Sequence, residues 1–170
     1  VDRPFAHLLD PAPRLVAICA DVRDPGNAGT VIRSADAAGA DAVVLVRGSV
    51  DPTAPKVVRS TAGSLFHLPV VTGVALDDAV TALHNAGLTV LAADGRGDFD
   101  LFEAESLLEA PSAWLLGNEA HGLPSEALSR ADAVVSIPIY GKAESLNVAA
   151  AAAVCLYASA RAQAQNSGRS

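Results

Sequence analysis

Three short segments of this 170-residue chain combine glycine with polar side chains in a way that suits a binding or catalytic site. They are DVRDPGNAGTVIR from residue 21, WLLGNEAHGL from residue 114 and SIPIYGKAESLN from residue 136. Each includes or follows an apolar run that predicts a strand, and open α/β sheets bind ligands beyond the carboxyl ends of their strands. The glycines allow the backbone to bend or to approach a ligand, and Asn, Glu and Ser offer hydrogen bonds.

Each segment also has a purely structural interpretation. Asn27 is a candidate N-cap, which would leave Arg33 as a solvated residue about two turns along the following helix. Glu119 is a candidate cap for the helix nearby, and Ser145 for the last helix. Capping does not account for Asn147, because it falls within the predicted first turn, where Asn has poor helix propensity.

The elements that must position these segments alternate between strand and helix. The predicted strands are Leu15–Ala20, Ala42–Val46, Leu68–Val71, Leu88–Ala93, Ala113–Leu116 and Ala133–Ile137. The predicted helices are Ala28–Ala38, Pro55–Gly63, Leu76–Ala86, Pro124–Arg130 and Ser145–Ala162. Strands rich in Val and Leu with little alternation indicate burial on both faces. The sequence therefore predicts an α/β fold, with a mostly parallel sheet covered by helices on both faces.

Composition narrows the class of protein further. With 51% hydrophobic and 18% charged residues, the chain lacks the signature of disorder and fits one domain. Its two cysteines lie in apolar stretches without a metal-ligand pattern, so we expect buried thiols and no metal. No apolar run is long enough to span a bilayer and no signal peptide is visible, so we expect a cytoplasmic protein.

A nucleotide-binding oxidoreductase is an alternative α/β protein. It would carry G-x-G-x-x-G directly after the first strand, and this spacing is absent there. Gly95-Arg96-Gly97 after the fourth predicted strand is only G-x-G and is better interpreted as a turn. Titration with NAD would separate this class from the others.

The three segments together resemble the SpoU/TrmH family of the SPOUT superfamily. Its motifs N-x-G-x-x-x-R, G-N-E-x-x-G-L and I-P-x-x-G-x-x-x-S-L-N are matched in order by residues 27–33, 117–123 and 137–147. Residues 56–70, KVVRSTAGSLFHLPV, also look like the family's segment between the first and third strands. The resemblance covers about Leu15 to Ala160, nearly the whole chain. One departure is Ala149, where relatives commonly have serine.

The resemblance implies a chemistry and a set of site residues. Family members transfer a methyl group from S-adenosylmethionine to a ribose 2′-hydroxyl of tRNA or rRNA, without a metal, and their C-terminal region forms a deep trefoil knot. The residues implied at the reacting groups are Arg33, Asn27, Glu119, Ser145 and Asn147. Those implied around the cofactor, largely through backbone groups, are Gly117, Ile137 and Leu146, with Leu116 and Gly141. Arg33 is an unlikely base because a guanidinium does not give up its proton in proteins, so a phosphate-binding or alkoxide-stabilising role is physically easier.

The resemblance also implies partners. Members are homodimers through the knot region and the last helix. The chain has a net charge of −7, and its acidic excess lies in residues 64–134. The first third is neutral and holds the candidate phosphate contacts Arg23, Arg33, Lys56 and Arg59. We expect weak RNA binding by this domain alone, since phosphate contacts usually dominate RNA affinity. Residues 1–14 are interpreted as an N-terminal extension or a linker from a missing N-terminal RNA-binding domain, 15–162 as the methyltransferase domain and 163–170 as a flexible tail.

Two alternatives remain within the superfamily. The first is a non-catalytic member that binds RNA or cofactor without turnover, which the intact motif residues argue against. The second is another SPOUT reaction, such as methylation of a base. The sequence leaves the identity of the RNA, the general base and any role in antibiotic resistance open.

Overall fold

The Val- and Leu-rich runs form one parallel sheet in a computed structural model that describes residues 5–168, apart from the side chain of Phe66. Its strands are β1 Leu15–Cys19, β2 Ala42–Val46, β3 Val70–Val74, β4 Thr89–Ala93, β5 Phe99–Asp100, β6 Ser112–Leu116 and β7 Ala133–Ser136. They lie in the order β3-β2-β1-β6-β4-β7-β5, with every adjacent pair parallel. The predicted α/β fold is confirmed.

Helices cover the sheet on both faces. They are α1 Pro25–Ala37, α2 Pro55–Ser60, α3 Leu76–Asn85, α4 Glu105–Leu108, α5 Ser125–Leu128 and α6 Val148–Ser167. Every residue of β1, β2 and β6 is buried. In β1, Ala17 packs into the core shared with α1 and α6, whereas Ile18 packs into the core shared with α3 and α5. Burial on both faces explains why these strands are continuously apolar.

The N-caps of two helices differ from the prediction. Asp24, not Asn27, caps α1, and its carboxylate accepts a hydrogen bond from the Asn27 backbone N–H at 2.9 Å. Asn147, not Ser145, caps α6, and its Oδ1 accepts from the backbone N–H groups of the second and third helical residues. In both loops two candidate capping residues lie close together, and sequence alone did not identify which one precedes the first helical turn.

Several boundaries also differ. β3 begins two residues after the predicted start, α2 ends three residues early, and β5 and α4 were not predicted. Ala62 and Gly63 both have left-handed backbone conformations, with φ of 50° and 92°, which end any helical continuation from α2.

The predicted terminal segments lie partly outside the described residues, which exclude 1–4 and 169–170. Within the predicted linker, residues 5–8 form a 3₁₀ helix, and Phe5 and Leu8 pack partly buried against the α3 side of the core. The predicted tail from Gln163 begins within α6, which continues to Ser167. The buried Gln163 amide donates to the backbone carbonyls of Arg14 and Ala110.

Polar and thiol groups in the core are accounted for. Trp114 in β6 is fully buried, and its indole N–H donates to Ser159 Oγ in α6 at 2.8 Å. Cys19 and Cys155 are buried free thiols, as predicted, and burial raises the pKa of each to about 12. Among the described residues, no helix is both long and apolar enough to cross a membrane. Nor does this part of the chain hold a group of His, Cys, Asp or Glu able to bind a metal ion.

Candidate active site

A cavity of about 310 Å³ opens at the carboxyl ends of β4, β6 and β7. We call it the strand-end cavity, and its volume lies at the lower end of the range for small-molecule sites, about 300–1,000 Å³. Its lining residues come from the ends of these strands, the loops that follow them and the start of α6: Ala93, Asp94, Gly95, Leu116, Gly117, Asn118, Glu119, Ala120, Gly122, Ile137, Ile139, Glu144, Ser145, Leu146, Val148 and Ala151.

The sequence-predicted residues divide clearly by position. Four of the five residues expected around a cofactor line the strand-end cavity, namely Leu116, Gly117, Ile137 and Leu146. The fifth, Gly141, is exposed, does not line the cavity and has no neighbour within contact distance of a Cβ placed on it. Its backbone therefore meets no crowding that would demand glycine.

Glycine is required at position 117 because the loop after β6 folds back on itself. A Cβ on Gly117 would lie 2.5 Å from the carbonyl carbon of Gly122 and 2.7 Å from the backbone nitrogen of Leu123, which is too close. Asn118 and Gly122 exchange two backbone hydrogen bonds, of 3.1 and 2.9 Å, and so close this loop. The backbone of Gly117 is thereby held at the cavity wall.

Glu119 binds the loop that precedes α1. Its Oε1 accepts hydrogen bonds from the backbone N–H groups of Arg23 at 3.0 Å and Asp24 at 2.9 Å. The neighbouring Asn118 donates from Nδ2 to the backbone carbonyl of Asp21 at 3.0 Å. Asp21 has a left-handed φ of 66°, which Asp tolerates better than most residues. Glu119 therefore fixes the loop that precedes α1. It does not cap α5, the next helix along the chain.

The first and third motifs meet through two asparagines. Asn147 Nδ2 donates to Asn27 Oδ1 at 3.1 Å, while Asn147 Oδ1 caps α6. The whole Asn147 carboxamide is thus oriented by bonds on both sides. Ser145, two residues earlier, lines the strand-end cavity. Three of the five residues predicted at the reacting groups, Asn27, Glu119 and Asn147, are thus linked by hydrogen bonds, directly or through Asp24, and a fourth, Ser145, lines the cavity beside them.

Arg33, the fifth, lies outside the cavity lining, exposed on α1. Lys56 and Arg59 are exposed on α2, which packs directly against α1. A Cβ on Gly29 would overlap the side chain of Ser60, so the motif glycine serves this close helix contact. Arg23 is exposed and its Nε donates to Asp21 Oδ1 at 2.6 Å, a bond that raises the pKa of Arg23.

Acidic side chains give the strand-end cavity its charge. Asp94, Glu119 and Glu144 line it, and no lysine, arginine or histidine is among the described lining residues. A site lined by one sign of charge attracts ligands of the opposite sign. The Arg96 side chain hydrogen-bonds the Asp94 carboxylate and holds the pKa of Asp94 below its ordinary value. Residues 94–97 form the predicted turn, closed by a bond from Gly97 N–H to the Asp94 carbonyl.

Sequence analysis missed three residues of this site: Asn118, Asp94 and Arg96. A signal for two of them was present, since Asn118 stands inside the second motif and Asp94 follows a buried strand at the same sheet edge. No sequence pattern indicated that the Arg96 side chain donates a hydrogen bond to the backbone carbonyl of Leu123.

A parallel α/β sheet with three motif loops gathered at its carboxyl edge is the arrangement expected of a SPOUT-type methyltransferase domain. Residues 14–157 match the model of the SpoU rRNA Methylase family, and the chain belongs to this family.

Relatives of known activity are similar over much of the chain. It is 42% identical over 147 residues to the 23S rRNA (guanosine(2553)-2'-O)-methyltransferase RlmP of Bacillus subtilis, which covers 85% of this chain and 57% of that protein. It is 41% identical over 142 residues to the 23S rRNA (uridine(2479)-2'-O)-methyltransferase of Streptomyces viridochromogenes, which covers 81% of this chain and 49% of that protein. The chain thus spans about half the length of these relatives.

Solved structures agree with the fold. The SpoU methyltransferase AviRb from Streptomyces viridochromogenes, in complex with the cofactor AdoMet, superposes with a TM-score of 0.84 at 35% identity, covering 97% of this chain and 66% of that one. An AdoMet-bound rRNA methyltransferase from Sinorhizobium meliloti gives a TM-score of 0.83 at 36% identity, covering 95% of this chain and 61% of that one.

Proposed function

We propose that this chain is the catalytic domain of an enzyme that transfers a methyl group from S-adenosylmethionine to a ribose 2′-hydroxyl of ribosomal RNA. The observation that carries the proposal is the meeting of all three family motifs at one edge of the sheet. There Glu119 bonds the first motif's loop and Asn147 bonds Asn27 beside the strand-end cavity. Relatives of 42% and 41% identity that methylate 23S rRNA support the same substrate class.

The apolar walls and the charge of the strand-end cavity suit the proposed cofactor. Leu116, Ile137 and Leu146 supply apolar walls, and the folded loop holds the Gly117 backbone for main-chain hydrogen bonds. The acidic lining complements the positive charge of a sulfonium. When bound, S-adenosylmethionine supplies an electrophilic methyl group.

The side chains at the first and third motifs orient the ribose in this proposal. Asn27 and Asn147 present a fixed pair of amides, and Ser145 offers a hydroxyl at the cavity. Positioning is a major part of such catalysis, because a reacting oxygen must be aligned with the methyl group. Arg33 binds an RNA phosphate or stabilises the developing alkoxide through its cationic guanidinium, which offers only hydrogen-bond donors. Glu119 acts by fixing the loop before α1.

The wider assembly is part of the proposal. Arg23, Lys56 and Arg59 contact RNA phosphates together with Arg33. The chain from Gly117 to Asn147 forms the trefoil knot, and the small residues of α6 pack in a homodimer. The protein works in the cytoplasm without a metal.

A methylation assay tests the reaction. The chain is incubated with methyl-labelled S-adenosylmethionine and purified ribosomal RNA or tRNA, and the product is digested with alkali. Label in alkali-resistant dinucleotides from rRNA is expected, because a 2′-O-methyl group blocks cleavage of the next phosphodiester bond. Arg33→Ala should lose this label. Calorimetric binding of S-adenosylmethionine, but not NAD, without transfer to either RNA would favour the non-catalytic alternative, and label in alkali-sensitive nucleotides would favour base methylation.

A further inference from the structure

Arg96, which belongs to none of the family motifs, makes three side-chain hydrogen bonds. Its Nε donates to Asp94 Oδ1 at 2.8 Å, and its Nη2 donates to Asp94 Oδ2 at 2.9 Å. The same Nη2 also donates to the backbone carbonyl of Leu123 at 2.7 Å. A guanidinium is planar and rigid, so these bonds fix its partners relative to one another.

The two partners stand on different walls of the strand-end cavity. Asp94 follows β4 and lines the cavity, and its side chain is only 11% exposed. Leu123 follows Gly122, which lines the cavity and pairs with Asn118 in the closed loop after β6. Arg96 itself does not line the cavity and is 58% exposed. It can therefore act on a ligand only through the groups that it holds.

The turn that carries Arg96 is firmly seated. A Cβ on Gly97 would lie 2.6 Å from the Val134 carbonyl oxygen and 2.8 Å from the Ser136 nitrogen, so the turn rests against the backbone of β7. The Arg96 backbone N–H adds a further bond to Asp94 Oδ1 at 2.9 Å. The guanidinium thus connects a fixed turn to a loop that shapes the neighbouring wall.

We infer that Arg96 is a positioning residue of the cofactor site, which sets the separation of the walls after β4 and β6 and orients Asp94 within the cavity. This inference rests on the proposed function for the nature of the ligand. Ion pairs between exposed side chains generally contribute little to stability. This pair differs because the carboxylate is mostly buried, the contact is bidentate, and a third bond reaches a backbone carbonyl 27 residues away.

Two measurements on three variants of the full chain test the inference. Arg96→Gln removes the positive charge and the bidentate contact with Asp94. Arg96→Lys keeps the charge but cannot make all three contacts. Arg130→Gln is the matched control, because Arg130 is a partly exposed arginine paired with Asp77 at 3.0 Å and lines no part of the cavity. Hydrogen exchange of the amides of residues 117–123 is followed without ligand, and binding of S-adenosylmethionine is followed by calorimetry.

In Arg96→Gln we expect faster exchange at Asn118 and Gly122 and about tenfold weaker cofactor binding, the usual scale for a lost charge-assisted contact. Arg96→Lys should lie between that variant and the original chain, whereas Arg130→Gln should match the original in both measurements. Unchanged exchange and unchanged affinity in Arg96→Gln would overturn the inference, and so would equal losses in Arg130→Gln. If the original chain binds no S-adenosylmethionine while Arg96→Gln still exchanges faster, the proposed function fails and the positioning of the loop stands.

Discussion

The two loops that enclose the strand-end cavity are held in very different ways. The loop of residues 117–123 after β6 is closed by its own backbone and bound to neighbours through Asn118, Glu119 and Leu123. Residues 138–146 of the loop after β7 make no hydrogen bond to any residue the structure describes, and residues 139–147 are exposed. That loop is anchored at its end, where Asn147 bonds Asn27.

This difference has an energetic consequence. A wall that is already ordered costs no further conformational entropy when a ligand arrives, whereas a wall without internal bonds is ordered at the expense of binding free energy. We expect the first loop to decide whether the cofactor binds at all. We expect the second to contribute mainly when RNA or a second subunit covers it.

Substituting one glycine in each loop should give the largest difference in cofactor affinity. Gly117→Ala should weaken S-adenosylmethionine binding at least about 100-fold, because its Cβ would displace the backbone of the folded loop. It should also lower the free energy of unfolding by about 1–3 kcal/mol, the usual cost of overpacking. Gly141→Ala is the control, since open space surrounds that position. Calorimetry and denaturant titration measure both effects, and equal affinities in the two variants would remove the distinction between the loops.

Removing the carboxylate of Glu119 should have the next largest effect. Glu119→Ala deprives the Arg23 and Asp24 backbone N–H groups of their acceptor, so the loop before α1 shifts and methyl transfer falls about 30-fold in kcat/KM. Glu119→Gln keeps an acceptor oxygen and should lose less. Glu126→Ala, at an 85% exposed side chain on α5, is the control. A Glu119→Ala enzyme as active as this control would contradict the assigned role.

Two substitutions of Asn147 separate capping from contact with Asn27. Asn147→Ser keeps an N-cap oxygen but is too short to reach Asn27, whereas Asn147→Ala loses both interactions. We expect both variants to lose methylation by about tenfold, and only the alanine variant to lose about 1 kcal/mol of stability. If Asn147→Ser were fully active and only the less stable Asn147→Ala lost methylation, the hydrogen bond between Asn147 and Asn27 would have no part in the reaction.

The smallest expected effect is a loss of thermal stability at low pH. Because the folded pKa of Asp94 is below its ordinary value of 3.8, its carboxylate stabilises the fold above that pH and the contribution is lost as pH falls through the lowered pKa. Asp94→Asn should therefore have a lower Tm than the original chain at pH 6, and the two values should approach one another near pH 3. Asp78→Asn, at an exposed residue of α3, serves as the control. Parallel Tm curves for the original chain and Asp94→Asn would contradict a lowered pKa of Asp94 in the folded state.

The sequence predicted the sheet far better than the contacts at its edge. β2 has the predicted bounds and β1 ends within one residue of them, because continuous apolar runs report burial directly. The two-residue β5 has no periodicity to detect. The bond from Glu119 to Asp24 joins residues 95 positions apart, and the bond from Arg96 to Leu123 joins residues 27 apart. Such bonds depend on the tertiary structure, which local propensity does not encode. Glu119 was predicted as a site residue because it lies in a family motif, whereas no sequence signal pointed to Arg96.

The hydrogen bond between Trp114 and Ser159 makes the chain its own fluorescent probe. Trp114 is the single tryptophan, is fully buried, and lies in the strand that leads into Gly117. Its emission therefore reports one environment, the contact between β6 and α6, without an attached dye. Detachment of α6 would expose the indole to water and shift that emission to longer wavelength, whereas rearrangement of the exposed loop after β7 alone would leave it unchanged.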